Sequence, residues 1–117
     1  MSGPSEHQIQ CALIQWFDNT HRQHRGRLFA IPNGGLRDTR VAKKMKAEGV
    51  RRGVPDLFLP VPAGDHHGLF IELKRPGGRL SADQKKWLDF LSGQGYRAVC
   101  CTGFDEAAAE IDAYLKP

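Results

Sequence analysis

Asp56, Glu72 and Lys74 are the residues of this chain whose types and spacing could do chemistry together. They lie in PDLFLPVPAGDHHGLFIELK, residues 55–74. Within it, Leu57-Phe58-Leu59 and Leu69-Phe70-Ile71 are short apolar runs joined by a Pro/Gly-rich stretch, the pattern of neighbouring strands in one hairpin. Strand residues two apart share a face, so Glu72 and Lys74 project together while Leu69, Ile71 and Leu73 project the other way. An adjacent strand can set Asp56 beside Glu72. Two carboxylates and an ammonium on one face admit two readings. One is a solvated ion pair, worth little. Five Glu and seven Lys in 117 residues generate about 0.3 Glu-x-Lys triplets by chance, so the triplet alone says little. The other reading is a cation site. Paired carboxylates cost several kcal/mol per ion to bury unless something positive offsets them. Mg²⁺ favours one or two carboxylate oxygens, with its other positions left to water and a substrate phosphate.

The flanking chain supplies elements to hold such a site. Ser5 with Gln8 three residues later is a capping-box pattern that starts a helix, and Ile9, Leu13, Trp16 and Phe17 form its apolar stripe. Glu6 falls on that stripe. It reads either as an acid at the positive end of the helix dipole or as a third carboxylate aimed at the sheet. Asn19 to Gly26 is polar and basic and reads as a loop. Leu28 to Ile31 reads as a strand stopped by the turn signal Pro32-Asn33-Gly34-Gly35.

A helix-like segment follows from Asp38 to Glu48. Arg37, Arg40, Lys43, Lys44, Lys46, Arg51 and Arg52 place seven of the seventeen basic residues within sixteen positions. Such a run is commonly a solvated face; next to the acid cluster it suits a phosphate-tracking surface. After Lys74, Ser81 and Gln84 form a second capping box. Gln84, Trp87, Leu88 and Leu91 fall at i, i+3, i+4 and i+7, so Gln84 holds the first core-facing position, serving its cap or reaching the acids. Tyr96 to Cys101 reads as the last strand and Phe104 to Leu115 as a closing amphipathic helix.

Bulk properties set bounds. At 117 residues the chain reads as one domain, 1–117, with neither repeats nor linkers. No apolar run is long enough to span a bilayer, and the N-terminal residues lack the form of a signal peptide. Cys11, Cys100 and Cys101 are odd in number and lack CxxC spacing, which fits a reducing, cytoplasmic setting rather than a disulfide framework or zinc site. A net charge of +4 and a pI near 9.2 are compatible with nucleic acid. The strand–helix–strand unit near the C-terminus implies a parallel pair in a mixed sheet.

Pro55-Asp56 followed by Glu72-Leu73-Lys74, in an αβββαβ order, resembles the PD-(D/E)xK nuclease superfamily. Glu6 in the first helix, Pro32-Asn33, Gly53-Val-Pro-Asp56, Ile71-Glu-Leu-Lys74 and Ser81 to Gln84 ahead of Trp87 are similar to its VRR-NUC branch over nearly the whole chain. The resemblance implies an α/β fold with a restriction-endonuclease-like core: a mixed β-sheet flanked by helices, with an extra basic helix and a C-terminal helix. It implies a metal-dependent endodeoxyribonuclease. Asp56, Glu72 and the Leu73 carbonyl would hold Mg²⁺ or Mn²⁺, with Glu6 at a second ion or through water, and Lys74 and Gln84 would position water or phosphate. Asn33 and the Arg37–Arg52 cations would hold DNA. One site per chain and a duplex with two strands point to a homodimer, and members that stand alone resemble resolvases of four-way junctions. The expected substrate is therefore branched DNA. A sequence-specific restriction-type nuclease and a non-catalytic DNA-binding or interaction module are the alternatives.

Overall fold

Leu57, Leu59, Leu69 and Ile71 are entirely shut off from solvent, and the alternation that buries them also sets which face of the sheet the acids occupy. The computed structural model describes residues 3–32 and 38–117. Asn33 and Arg37, expected at the DNA surface, lie outside the described residues.

Helix α1 (Glu6–Thr20) starts at the expected capping box: the Ser5 hydroxyl accepts from the Gln8 N–H, and the Gln8 side-chain oxygen accepts from the Ser5 N–H. Its stripe Ile9, Leu13 and Phe17 is buried. Strand β1 (Phe29–Ala30) leads to helix α2 (Thr39–Ala47), and strands β2 (Leu57–Leu59) and β3 (Leu69–Lys74) form the hairpin. Helix α3 (Ala82–Gly93), strand β4 (Arg97–Thr102) and helix α4 (Gly103–Leu115) complete the order. The sheet runs β1-β2-β3-β4, antiparallel at the first two contacts and parallel between β3 and β4. That is the mixed sheet the strand–helix–strand unit predicts.

The hairpin register pairs Leu57 with Ile71 and Leu59 with Leu69. Opposed residues point the same way, so these four join Leu73 and Cys101 on one face. There they meet Ile9, Leu13 and Phe17 of α1 and Ala107 and Ile111 of α4 in one core. Tyr114 closes it, donating its hydroxyl to the Val61 carbonyl at 2.7 Å. The opposite face carries Phe58, Phe70, Glu72 and Lys74, and α3 packs there over β4.

Three local expectations change. The strand expected over 28–31 shortens to two residues, with Leu28 turned into the core at 4% exposure. It is an edge strand followed by Pro32, which has no N–H for a ladder. The loop expected over 19–26 begins later. The helix runs through Thr20 and a 3₁₀ turn covers Arg22–His24, because the Asp18 carboxylate takes up the Gly26 N–H at 2.9 Å. Trp87, expected to face the core, is only half-buried, and Leu88 and Leu91 are the buried residues of α3. Trp87 sits on the flank of a helix whose base rests on β4.

Candidate active site

Asp56 stands one step before β2, where it continues the ladders on both sides. Its carbonyl accepts from the Ile31 N–H at 2.8 Å. Its carboxylate Oδ2 accepts from the Leu73 N–H at 2.7 Å, and this bond aims the side chain at β3. The hairpin register, carried one pair further, sets Asp56 opposite Glu72. The two carboxyl groups lie within hydrogen-bonding reach of each other. The acids that were 16 positions apart in the sequence are neighbours on one face.

Glu72 is 1% exposed and Lys74 8%. Glu72 Oε2 sits 3.7 Å from Lys74 Nζ and accepts from Gln84 Nε2 at 3.2 Å. Glu72 Oε1, also buried, has no hydrogen-bond partner. The cost falls on the Glu72 carboxyl group, which is pushed up to about 9. Burial is the main cause, then the charge of Asp56 and a hydrogen bond with it; Lys74 pulls the other way, and Glu6 adds a small upward push. A group in this state holds either a proton or a cation.

The pair fits a hard divalent ion. Its donors are carboxylate oxygens, one of them buried and without a donor. Among the described residues no group of three or more His, Cys, Asp or Glu is gathered closely enough to hold an ion. Glu6 is half-buried in the first turn of α1, and its charge is the weakest of those acting on Glu72. The structure thus brings together Asp56, Glu72, Lys74 and Gln84, and leaves Glu6 outside that group.

Gln84 does both things the sequence left open. Its Oε1 accepts from the Ser81 N–H at 2.8 Å, completing the cap of α3, while its Nε2 donates to Glu72. Its nitrogen therefore orients an acid. The approach of α3 depends on Gly53, whose φ is +87°. A Cβ there would meet the Asp83 backbone and Cβ at 2.8 Å. The sequence shows Gly53 only as part of the Gly-Val-Pro-Asp run; this close approach had no signal of its own.

The chain matches the VRR-NUC domain family model over residues 2–105. This protein belongs to the VRR-NUC family. That is a nuclease family, and the fold agrees with it. A solved structure titled "VRR_NUC domain protein" superposes with a TM-score of 0.87 at 28% identity, covering 99% of this chain and 92% of the other. No curated protein matches the chain. No helix of the described residues is long and apolar enough to cross a membrane.

The basic segment of this VRR-NUC chain is open to solvent. Arg40, Lys43, Lys44, Lys46, Arg51 and Arg52 are all exposed, and α2 buries none of its residues. Asp38 caps it through the Arg40 N–H at 2.8 Å. Arg51 Nη1 donates to the Lys46 carbonyl at 3.2 Å, tying the end of the helix to the segment that enters β2. A recess of about 330 Å³ lies between Ala42, Met45, Lys46, Val50, Arg51 and Arg52. Cys101 is buried and its thiol is pushed up to about 12, chiefly by that burial, as expected of an inert thiol.

Proposed function

We propose that residues 1–117 form one metal-dependent, structure-selective endodeoxyribonuclease domain that hydrolyses phosphodiester bonds in branched DNA such as four-way junctions, acting as a homodimer. The observation that carries this reading is the Asp56–Glu72 pair: two carboxyl groups within hydrogen-bonding reach, one with a buried oxygen lacking any donor. Asp56, Glu72 and the Leu73 carbonyl would hold Mg²⁺ or Mn²⁺, with Glu6 acting through water or at a second ion. When bound, the ion acidifies water in its shell and offsets the negative charge that builds on the phosphate.

The chain's own groups do the rest. Gln84 fixes the Glu72 carboxylate through Oε2, so the other oxygen stays turned toward Asp56. The Leu73 N–H does the same for Asp56. Lys74 is held against Glu72 at 3.7 Å, where its ammonium can orient the attacking water and oppose charge on the phosphoryl oxygens. The exposed cations of α2, with Arg51 and Arg52, hold the backbone electrostatically and carry no base-reading geometry. Two copies related by a two-fold axis, the commonest oligomer symmetry, would supply a cut for each strand.

The test is cleavage of junction, flap and linear duplex DNA in Mg²⁺ against EDTA. The expected result is cutting in Mg²⁺ alone, fastest on the junction. Equal rates on all three substrates would remove structure selectivity, a discrete cut in linear duplex would establish the restriction-type reading, and cutting in EDTA would end the metal reading.

A further inference from the structure

The two faces of the sheet are finished differently. Toward α1 and α4 the inward side chains of β2 and β3 are sealed. On the acid face a row of four aromatic rings crosses the strands. Phe29 meets Phe58 edge-on at 5.7 Å, Phe58 stacks on Phe70 at 4.1 Å, and Phe70 meets Tyr96 edge-on at 5.2 Å. Phe58, Phe70 and Tyr96 are half-buried, and Phe29 is 45% exposed. Space for the row is built in: a Cβ at Gly68 would lie 2.8 Å from the Phe58 ring. Phe58 follows Asp56 by two residues and Phe70 precedes Glu72 by two, so the row runs one pleat, about 7 Å, from the acid pair on the same face.

Helix α3 adds a second aromatic element. Asp83, Trp87 and Phe90 fall at i, i+4 and i+7 and share one flank. Asp83 is pressed against Gly53, which leads into β2, so this flank looks toward the β2 side of the sheet. Trp87 and Phe90 meet edge-on at 5.9 Å, Phe90 is 56% exposed, and with Lys86 they border a shallow recess of about 270 Å³.

We propose that this aromatic surface is a stacking site for an unpaired nucleobase of the strand held at Asp56 and Glu72. The proposal rests on the nucleic-acid reading of that site and deepens it by naming what is selected: a strand with a base free to leave its pair. Two features single out this occupant. The rings of the sheet adjoin the acids, one pleat away on the same face. The rings also offer π-faces without the fixed donors and acceptors of a base-reading pocket, as sequence-tolerant binding requires. A four-way junction or flap provides such bases at its branch point, and a paired duplex does not.

The experiment uses the full chain in EDTA, so that binding is read without cleavage. The probe is a single-stranded oligodeoxynucleotide with one 2-aminopurine. Stacking on the rings should change its emission on titration with protein, and Phe29→Ala and Phe90→Ala, both at exposed positions, should each weaken binding about tenfold and abolish that emission change. Circular dichroism melts confirm that the variants fold. An emission change that survives both substitutions overturns the proposal. So does sedimentation showing wild type as a dimer and Phe29→Ala as a monomer with base stacking intact, because the rings would then be covered by a second copy. Glu72→Gln separates the two readings. Cleavage by that variant in Mg²⁺ would end the nuclease reading of the acids, whereas the emission assay in EDTA reports base stacking independently of it.

Discussion

Replacing Glu72 with Gln should stabilise the metal-free protein at alkaline pH while destroying its metal response. The Glu72 carboxyl is held up to about 9 against an ordinary value of 4.5. Between those limits the folded chain binds the extra proton, so metal-free stability is greatest below the lower limit and falls as pH rises toward the upper one. At about 1.4 kcal/mol per unit the upper limit of that loss is about 6 kcal/mol. The realised loss is smaller because the site relaxes and admits water when Glu72 ionises, and about 2–4 kcal/mol is expected. In Glu72→Gln the amide oxygen can still accept from Gln84 and face Lys74, and its NH₂ can donate to Asp56 from the place where Oε1 has no donor. Urea melts in EDTA from pH 5 to 9 should therefore show wild type losing stability relative to the variant, which overtakes it by about 2–4 kcal/mol at the alkaline end. Adding Mg²⁺ at tenfold its dissociation constant should stabilise wild type by about 1.4 kcal/mol and leave the variant unmoved. Parallel pH profiles, with the variant less stable throughout, would refute the reasoning, because Glu72 would then be an ordinary satisfied acid.

Lys74→Met should lower cleavage about 10²–10³-fold and raise the Mg²⁺ concentration needed for half-maximal rate, since Lys74 favours the ionised form of Glu72; a metal titration of initial rates checks both. Removing Arg51 and Arg52 together should weaken binding of all DNA forms alike and flatten the slope of log K against log salt by about 2, measured by fluorescence anisotropy between 50 and 200 mM salt. Gly53→Ala places a Cβ 2.8 Å from the Asp83 backbone at a φ of +87° and should cost about 2–4 kcal/mol in urea melts; a cost below 1 kcal/mol would mean that α3 is free to shift.

Elements with a local signature were legible in the sequence. Ser5 with Gln8 and Ser81 with Gln84 each marked a helix start that the backbone adopts. Period-two alternation in Leu69–Lys74 correctly divided the core side chains from Glu72 and Lys74. What escaped depended on contacts between distant segments. Trp87 obeys the helical period of a core position, yet its burial is set by where α3 rests on β4, which no period encodes. Leu28 reads as a strand residue but turns inward because β1 pairs on one side only. The site shows the same division. Residue types nominated Asp56 and Glu72, whereas the Leu73 N–H that aims Asp56, and the aromatic row beside the pair, emerge only once the register is known.

The side chain of Gln84 leaves little freedom in how its amide can sit. Its carbonyl end is claimed by the Ser81 N–H and its amino end by the Glu72 carboxylate, so turning it over would set oxygen against oxygen and nitrogen against a hydrogen donor. Unwinding of the first turn of α3 would thus strip the acid of a donor in the same event that opens the helix cap. Order at that turn and the setting of the acid are thus coupled through one side chain, and a disturbance far along α3 can reach Glu72 by loosening the turn where the helix begins.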